Sequence, residues 1–259
     1  MVRMTMSRVT DPTDHLRWLR QSADEDSGTG FDLEHWPSST WVLHAMYENP
    51  LLEGLGTHDD LHRRRLDASD AAPLIIDEAT LDGLTTVTGV PLGFVVRPGR
   101  AWRRVSWKEY LDRTASQQRG RDHPPCFRWF PPGSWPVAVE PPAEGSLDDE
   151  SLLSLVDVLA SCAAEGLDTE CLAYYAPLAA DFDSVHLWQG PLSSVRELVD
   201  EFGGPYRSSP SNIWPRDRSW FVWTDHDLQG TKVSGTARLI EAVRAHPALE
   251  THDWMPAPT

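Results

Sequence analysis

This sequence of 259 residues has no long apolar run and only three cysteines. No stretch of about 18 apolar residues occurs, so the sequence predicts no transmembrane helix and no membrane partner. The first residues, MVRMTMSRVTDPTDHL, lack the apolar core of a secretory signal, which makes the cytoplasm the expected location. The three cysteines (Cys126, Cys162 and Cys171) match no zinc or redox spacing, and an odd count argues against a disulfide framework.

The common catalytic fingerprints are missing as well. The sequence contains no GxxxxGK[ST] phosphate-binding loop, no GxGxxG dinucleotide loop, no GxSxG nucleophile turn and no HExxH zinc motif. Most nucleotide-dependent and hydrolytic enzymes are therefore disfavoured, and no cofactor is predicted. The expectation is a protein that binds rather than catalyses, with catalysis by other residues left open.

Basic residues are too few to balance the acidic ones, and the net charge is −16. Residues 145–259 contain 18 acidic and 7 basic residues, whereas residues 97–128 contain 9 basic and 3 acidic residues. Binding to nucleic acid or to an anionic membrane depends on clustered basic side chains, so the overall charge disfavours both. The acidic half predicts either a solvated surface or a basic protein partner.

Prolines divide the sequence. Five of them interrupt residues 130–146, FPPGSWPVAVEPPAEGS, and predict a linker at 131–145 between domains at 1–130 and 146–259. In the first half, the patterns predict helices and strands in mixed order. The helices are at 14–23, 57–66 and 106–118; the strands are at 40–47 and at three short places between 73 and 96.

The second half predicts the order α-β-β-α-β-β-α. Apolar residues at helical spacing and acidic residues in the first turn favour a helix at 146–162. Neighbouring pairs of strands with helices between them indicate a mainly antiparallel sheet covered on one face, and thus an α+β fold for the chain. The strands are at 170–175, 184–188, 219–224 and 231–233; the helices that follow are at 193–202 and 236–245.

One segment carries a resemblance. NIWPRDRSWFVWTDHDLQGTKVSG (212–235), the preceding VHLWQGPL and the leucine-rich helix before them resemble an uncharacterised family of actinobacterial proteins, over about the last 115 residues. The resemblance implies no activity, because none is known for that family. Small acidic α+β proteins of bacteria are often immunity proteins, which neutralise toxins by binding them, and this association favours a binding function.

Asp225 and Asp227, with His226 between them, are the foremost candidates for a catalytic or metal site. If the strand at 219–224 continues, both carboxylates point to one side, where Mg²⁺ or Ca²⁺ accepts such oxygen ligands. The ion would need further ligands that the sequence does not identify. Arg216 and Arg218 offer an alternative, because in an in-register hairpin they would lie opposite the aspartates and pair with them.

A second metal candidate is the pair His58 and His62, four residues apart on one predicted helix face. Zinc proteases place glutamate next to the first histidine, whereas this sequence has the shorter Asp59, so an ordinary exposed helix explains the pair equally well. Cys126 follows His123 by three residues, but Pro124 and Pro125 hold the two apart. Burial of Cys126 is therefore expected rather than nucleophilic use.

Tryptophan is unusually abundant, with twelve residues. Three of them, Trp36, Trp135 and Trp214, directly precede proline in predicted loops, and tryptophan is enriched at binding hot spots. Most should pack in the core, and a minority should line a binding surface. The surface is predicted from the C-terminal half, at Trp188, Trp214, Trp220 and Trp223.

Two hypotheses follow from these patterns. The first is a noncatalytic protein-binding module, of the kind to which immunity proteins belong, that captures a basic protein through an acidic, tryptophan-rich surface. The second is a metal-dependent enzyme that uses Asp225 and Asp227 with a histidine. The missing catalytic motifs favour the first.

Overall fold

The computed structural model describes residues 5–22, 30–67, 75–76, 79–80, 93–114, 122–176, 186–201 and 208–255. The helices of these residues are α1 (Thr13–Ser22), α2 (His58–Asp67), α3 (Trp107–Arg113), α4 (Asp149–Cys162), α5 (Val195–Glu201) and α6 (Ala237–Ala245). The strands are β1 (Ser7–Arg8), β2 (Ser38–Leu43), β3 (Met46–Glu48), β4 (Ile75–Ile76), β5 (Ala79–Thr80), β6 (Arg103–Val105), β7 (Val139–Glu140), β8 (Glu170–Tyr175), β9 (His186–Pro191), β10 (Asn212–Pro215), β11 (Phe221–Thr224), β12 (Gly230–Gly235) and β13 (Thr251–His252).

The dominant element is an eight-stranded sheet in the order β1-β9-β8-β10-β11-β12-β2-β13. Each neighbouring pair of strands in it is antiparallel, which confirms the predicted α+β fold with a mainly antiparallel sheet. The hairpin predicted from WFVWTDHDLQGT is formed by β11 and β12, with Trp223 opposite Lys232. The longest described helix has 14 residues, and no described helix has both the length and the apolar character needed to cross a membrane.

Both faces of this sheet are covered, so the prediction of a sheet covered on one face is wrong. Val222 and Trp220 of the β11 region belong to a core shared with α4, α5 and α6. Phe221 and Trp223 point to the opposite face, where α1 and the chain around Phe31 cover them. Four consecutive buried residues in β11 meet this requirement, since a strand covered on both faces has no solvent side.

The N-terminal part of the chain contributes two strands to the sheet. β1 pairs with β9, and β2 lies between β12 and β13, with Trp41 opposite both Lys232 and His252. The predicted linker at 131–145 is itself packed, because it contains β7 and buried residues such as Val137 and Ala143. The boundary predicted there therefore does not divide the chain into two separate sheets.

A second, smaller unit adjoins the sheet, and we call it the small module. It comprises the three-stranded sheet β6-β3-β7, α3 and residues 122–136, around a core that includes Met46, Trp107 and Trp129. The strand predicted at 40–47 is broken, because β2 ends at Leu43 and β3 begins at Met46. The chain turns from the large sheet into the small module between them, where the buried side chain of His44 is held by hydrogen bonds.

Other predicted elements are confirmed or corrected locally. Asp148 caps α4 by accepting a hydrogen bond from the backbone N–H of Ser151, and Thr57 and Asp60 form a reciprocal cap at the start of α2, where the sequence predicted a helix. β10 and β13 are absent from the predicted order of the second half. Of the short strands predicted between 73 and 96, the one at 84–88 lies outside the described residues.

Candidate functional site

The aspartates of the acidic motif lie in a turn rather than on a strand. β11 ends at Thr224 and β12 begins at Gly230, so Asp225 and Asp227 are in the connection between them. The carboxylate of Asp225 accepts a hydrogen bond of 2.8 Å from the backbone N–H of Asp227, a local arrangement that aspartate commonly makes in turns. His226 lies 3.4 Å from the Asp227 carboxylate through Nε2, and both side chains are exposed.

The arginines expected to face these aspartates are at the other end of β11. Arg216 bonds to Glu170 at 3.1 Å, and the guanidinium of Arg218 lies 4.4 Å from the ring centroid of Trp18. The predicted pairing of Arg216 and Arg218 with Asp225 and Asp227 is therefore wrong. Across the described residues, no group of three or more His, Cys, Asp or Glu side chains is arranged to hold a metal ion.

The acidic turn is fixed against residues 144 and 145. The backbone N–H of Gly145 donates to the carbonyl of Leu228 at 2.9 Å, and a Cβ on Gly145 would lie 2.7 Å from the Cα of His226. Burial raises the pKa of Glu144, as does the charge of Asp227, while His226 lowers it. These contacts give the turn a packing role whether or not it binds a ligand.

The structure places His58 and Cys126 in local surroundings that account for them. His58 lies in α2 with its Nε2 3.2 Å from the carbonyl of Val139, and His62 lies in the same helix with its side chain outside the described set. Cys126 is buried, as predicted, and burial raises the pKa of its thiol. Nε2 of His123 accepts a hydrogen bond of 2.6 Å from Arg128, so His123 is engaged away from Cys126.

The four tryptophans predicted to form a binding surface are interior residues. Trp188, Trp214, Trp220 and Trp223 are 9% exposed or less. Their strands have two covered faces, so side chains that alternate between the faces are buried whichever way they point. The prediction of a binding surface at these positions is corrected accordingly.

The exposed aromatic surface lies instead on the small module. A groove of about 630 Å³, which we call the Trp135 groove, is lined by Phe127, Phe130, Trp135, two prolines and a glycine, together with Asp122, His123 and Arg128. Phe127 is 60% exposed, an unusual state for a large apolar side chain. The volume of the Trp135 groove is in the range of sites that bind small molecules or short peptide segments.

A second cavity, the Tyr110 pocket, has a volume of about 240 Å³ and is lined by Leu52, Tyr110, Pro136 and neighbouring apolar residues. The rings of Tyr110 and Trp135 stack with centroids 5.1 Å apart, so the two cavities share an aromatic wall. Leu51 and Leu55, on either side of Leu52 in the chain, are 81% and 45% exposed. These exposed apolar side chains are therefore close in the chain to a residue that lines the pocket.

A buried carboxylate gives the Tyr110 pocket its polar side. Glu48 is buried and binds two arginines, Arg103 and Arg113, the latter at 2.7 Å. Burial raises the pKa of Tyr110, Arg113 lowers it and Glu48 raises it. The carboxylate is thus neutralised inside the protein, and the cavity presents mainly apolar surface to a ligand.

Sequence reasoning did not assign a site to this surface. Its one available signal was the cluster of aromatic residues and prolines in DHPPCFRWFPPGSWP (122–136), which includes the Trp135-Pro136 step. The ring of Tyr110 that completes the wall comes from another segment. No family model matches the chain, and neither a curated protein nor a solved structure matches it.

Proposed function

We propose that this chain is a noncatalytic protein-binding module that captures a basic partner through the Trp135 groove and the Tyr110 pocket. The observation that carries the proposal is the pair of cavities whose linings meet at the stacked rings of Tyr110 and Trp135, with the exposed ring of Phe127 in one of them. Apolar anchors of a partner that fill such cavities contribute most of the binding energy of an interface.

The cavities carry charges of both signs, and it is the net charge of the whole chain that supports a basic partner. Glu53 lines the Tyr110 pocket, and the backbone N–H of Asp59 donates a hydrogen bond of 3.0 Å to Oγ of Ser134, the residue before Trp135. Neither the Glu53 carboxylate nor the Asp59 carboxylate forms an ion pair within the described part of the chain. Arg113 is already bound to Glu48, and Arg128 donates to His123. With a net charge of −16, the protein would attract a basic protein over a distance and repel acidic ones.

The immunity type of function remains part of this proposal. A protein that neutralises a basic toxin needs a stable scaffold, an exposed anchor surface and complementary charge, and no catalytic machinery. The eight-stranded sheet, which is covered on both faces, supplies the scaffold, and the small module supplies the exposed surface.

The test is affinity capture with the full chain from an extract of the organism that encodes it. Phe127→Asp places a charge in the Trp135 groove, and Leu51→Asp places one next to Leu52 of the Tyr110 pocket. Leu167→Asp is the matched control, because Leu167 is 46% exposed and lines neither cavity. We expect one partner to be captured by the wild type and the control, and about tenfold less by the cavity variants. Raising the salt from about 50 mM to about 500 mM should weaken the capture. If both cavity variants capture as much of the partner as the wild type does, the proposal is contradicted.

A further inference from the structure

The indole N–H of Trp135 distinguishes it from its neighbours in the small module. Trp107 donates its indole N–H to the carbonyl of His44 at 2.9 Å, and Trp129 donates to the carbonyl of His123 at 3.1 Å. The N–H of Trp135 has no acceptor among the described residues, and it is not one of the buried unpaired atoms, so it reaches solvent. A donor beside an aromatic groove is available to a ligand carbonyl.

The position of the Trp135 ring is fixed by its own packing. Tyr110 stacks on one side at an interplanar angle of 26°, and Phe130 meets the ring with centroids 4.9 Å apart. A ring held in this way presents its free edge and its N–H without losing side-chain entropy on binding. Phe127 extends the aromatic surface towards solvent.

Rigid aromatic grooves with a free indole donor suit one kind of peptide. A segment in the polyproline II conformation has no internal hydrogen bonds, so its carbonyls are free to accept, and its proline rings pack flat on aromatic side chains. Little conformational entropy is lost when such a segment binds, because it is already extended. A helical or β-strand ligand would need a longer apolar groove or a free sheet edge.

The charge at the groove selects the flanking residues of that segment. Asp122 lines the groove and is 75% exposed at its side chain, with His123 its described partner at 3.6 Å. His123 accepts from Arg128, which leaves the Asp122 carboxylate available to an incoming cation. Arg128 also lines the groove, but its guanidinium donates to His123 and lies 5.8 Å from the ring centroid of Phe127. An arginine or lysine of the ligand is therefore favoured beside Asp122 rather than beside Arg128.

We propose that the Trp135 groove binds an extended, proline-containing segment with an adjacent basic residue on the partner protein, and that the indole N–H of Trp135 donates to a carbonyl of that segment. This inference rests on the proposed binding function and adds the chemistry of the ligand. The volume of the groove, about 630 Å³, accommodates a few residues of such a segment.

The experiment uses the full chain and a synthetic peptide of about ten residues that contains two prolines separated by two residues and ends in arginines. One comparison peptide has alanine in place of proline, and another has glutamate in place of arginine. Calorimetry should show binding of the first peptide and about tenfold weaker binding of each comparison peptide.

Two protein variants test the named donor. Trp135→Phe keeps a ring for Tyr110 and removes the N–H, and we expect about tenfold weaker binding. Trp36→Phe is the matched control, because Trp36 is also half-buried and precedes a proline, yet it donates to the carbonyl of Arg218 elsewhere. Phe127→Ala should also weaken binding of the peptide. Because Phe127 is exposed, this variant keeps the test possible if Trp135→Phe does not fold.

The outcomes separate this inference from the proposed function. The inference is overturned by any of three results. They are equal affinity for the proline and alanine peptides, wild-type affinity in folded Trp135→Phe, and no heat of binding with any peptide. The proposed function is then judged by partner capture alone, where loss of capture by Leu51→Asp and Phe127→Asp relative to Leu167→Asp would still support it.

Discussion

Nε2 of His44 lies 2.9 Å from the hydroxyl oxygen of Thr231, and this hydrogen bond ties β12 to the corner where the chain leaves the large sheet. Nδ1 of the same ring lies 2.6 Å from the carbonyl of Ala143. Because a carbonyl only accepts, Nδ1 carries the proton, and in the neutral ring Nε2 accepts from Thr231. Thr224 continues the chain of hydroxyls at 2.8 Å from Thr231. His44 is therefore held in one tautomer.

Acid should destabilise the protein through His44. Burial lowers the pKa of His44 from 6.5 to about 4, while the Ala143 carbonyl and the charge of Asp148 oppose the shift. The unfolded chain takes up this proton first as the pH falls, so stability is lost from about pH 6.5 down towards pH 4. From pH 7.5 to pH 5 we expect a loss of about 2 kcal/mol from this group.

Urea unfolding at the two pH values measures this loss. His44→Gln should remove most of the His44 contribution, whereas His226→Gln, at an exposed turn position, should keep it. An unchanged pH dependence in folded His44→Gln would show that another group is responsible.

Gly145→Ala should destabilise the acidic turn. Gly145 has φ +69°, and its Cβ would lie 2.7 Å from the Cα of His226, so strain and a backbone clash add together. We expect about 2–4 kcal/mol in chemical denaturation. Gly166→Ala is the matched control, because φ is +59° there with open space around the Cβ, and about 1 kcal/mol is expected. Equal losses at the two positions would mean that the turn does not pack as described.

The aspartates of the turn should act locally. Asp225→Ala removes the acceptor of the Asp227 N–H and should cost about 0.5–1 kcal/mol, whereas Asp227→Ala should change stability by no more than about 0.5 kcal/mol. About 1 mM Mn²⁺ should leave the Tm of the wild type within about 1 °C of its metal-free value. If Mn²⁺ raised the Tm of the wild type by several degrees and left that of Asp227→Ala unchanged, the result would favour the hypothesis of a metal-dependent enzyme.

Buried and exposed aromatic residues should respond oppositely to truncation. Trp214→Ala opens a cavity in the core between the sheet and α1 and should cost about 3–5 kcal/mol. Phe127→Ala removes an exposed ring and should change stability by no more than about 0.5 kcal/mol. Denaturant midpoints measure both, and a large loss at Phe127 would identify it as a core residue instead of a binding residue.

Local patterns predicted the elements whose apolar residues repeat regularly. The strand predicted at 170–175 coincides with β8. The helix predicted at 146–162 begins later than expected, after the cap at Asp148, and its last 14 residues form α4. Val222 and Trp223, neighbours in β11, point to opposite faces of the sheet, as side chains along a strand do. Such periodicity depends on neighbours in the chain, and these are visible in a sequence.

Long-range partners explain what was missed. β10 lies in the middle of the sheet, yet Pro215 at its end and the serines before it are typical of a loop. The cover supplied by Leu16 and Phe31 comes from residues far from the strands they bury. The Trp135 groove likewise needs Tyr110 from α3, and nothing in the local pattern links the two rings.

The placement of β2 between β12 and β13 constrains how the chain reaches its native state. Both partners of β2 follow it in the chain across a long separation, with Val42 opposite Thr231 and Thr251. During synthesis, β2 therefore stays without its partners until those two residues have been made. Pairing across such a separation makes folding slow, and it gives chaperones a defined segment to protect.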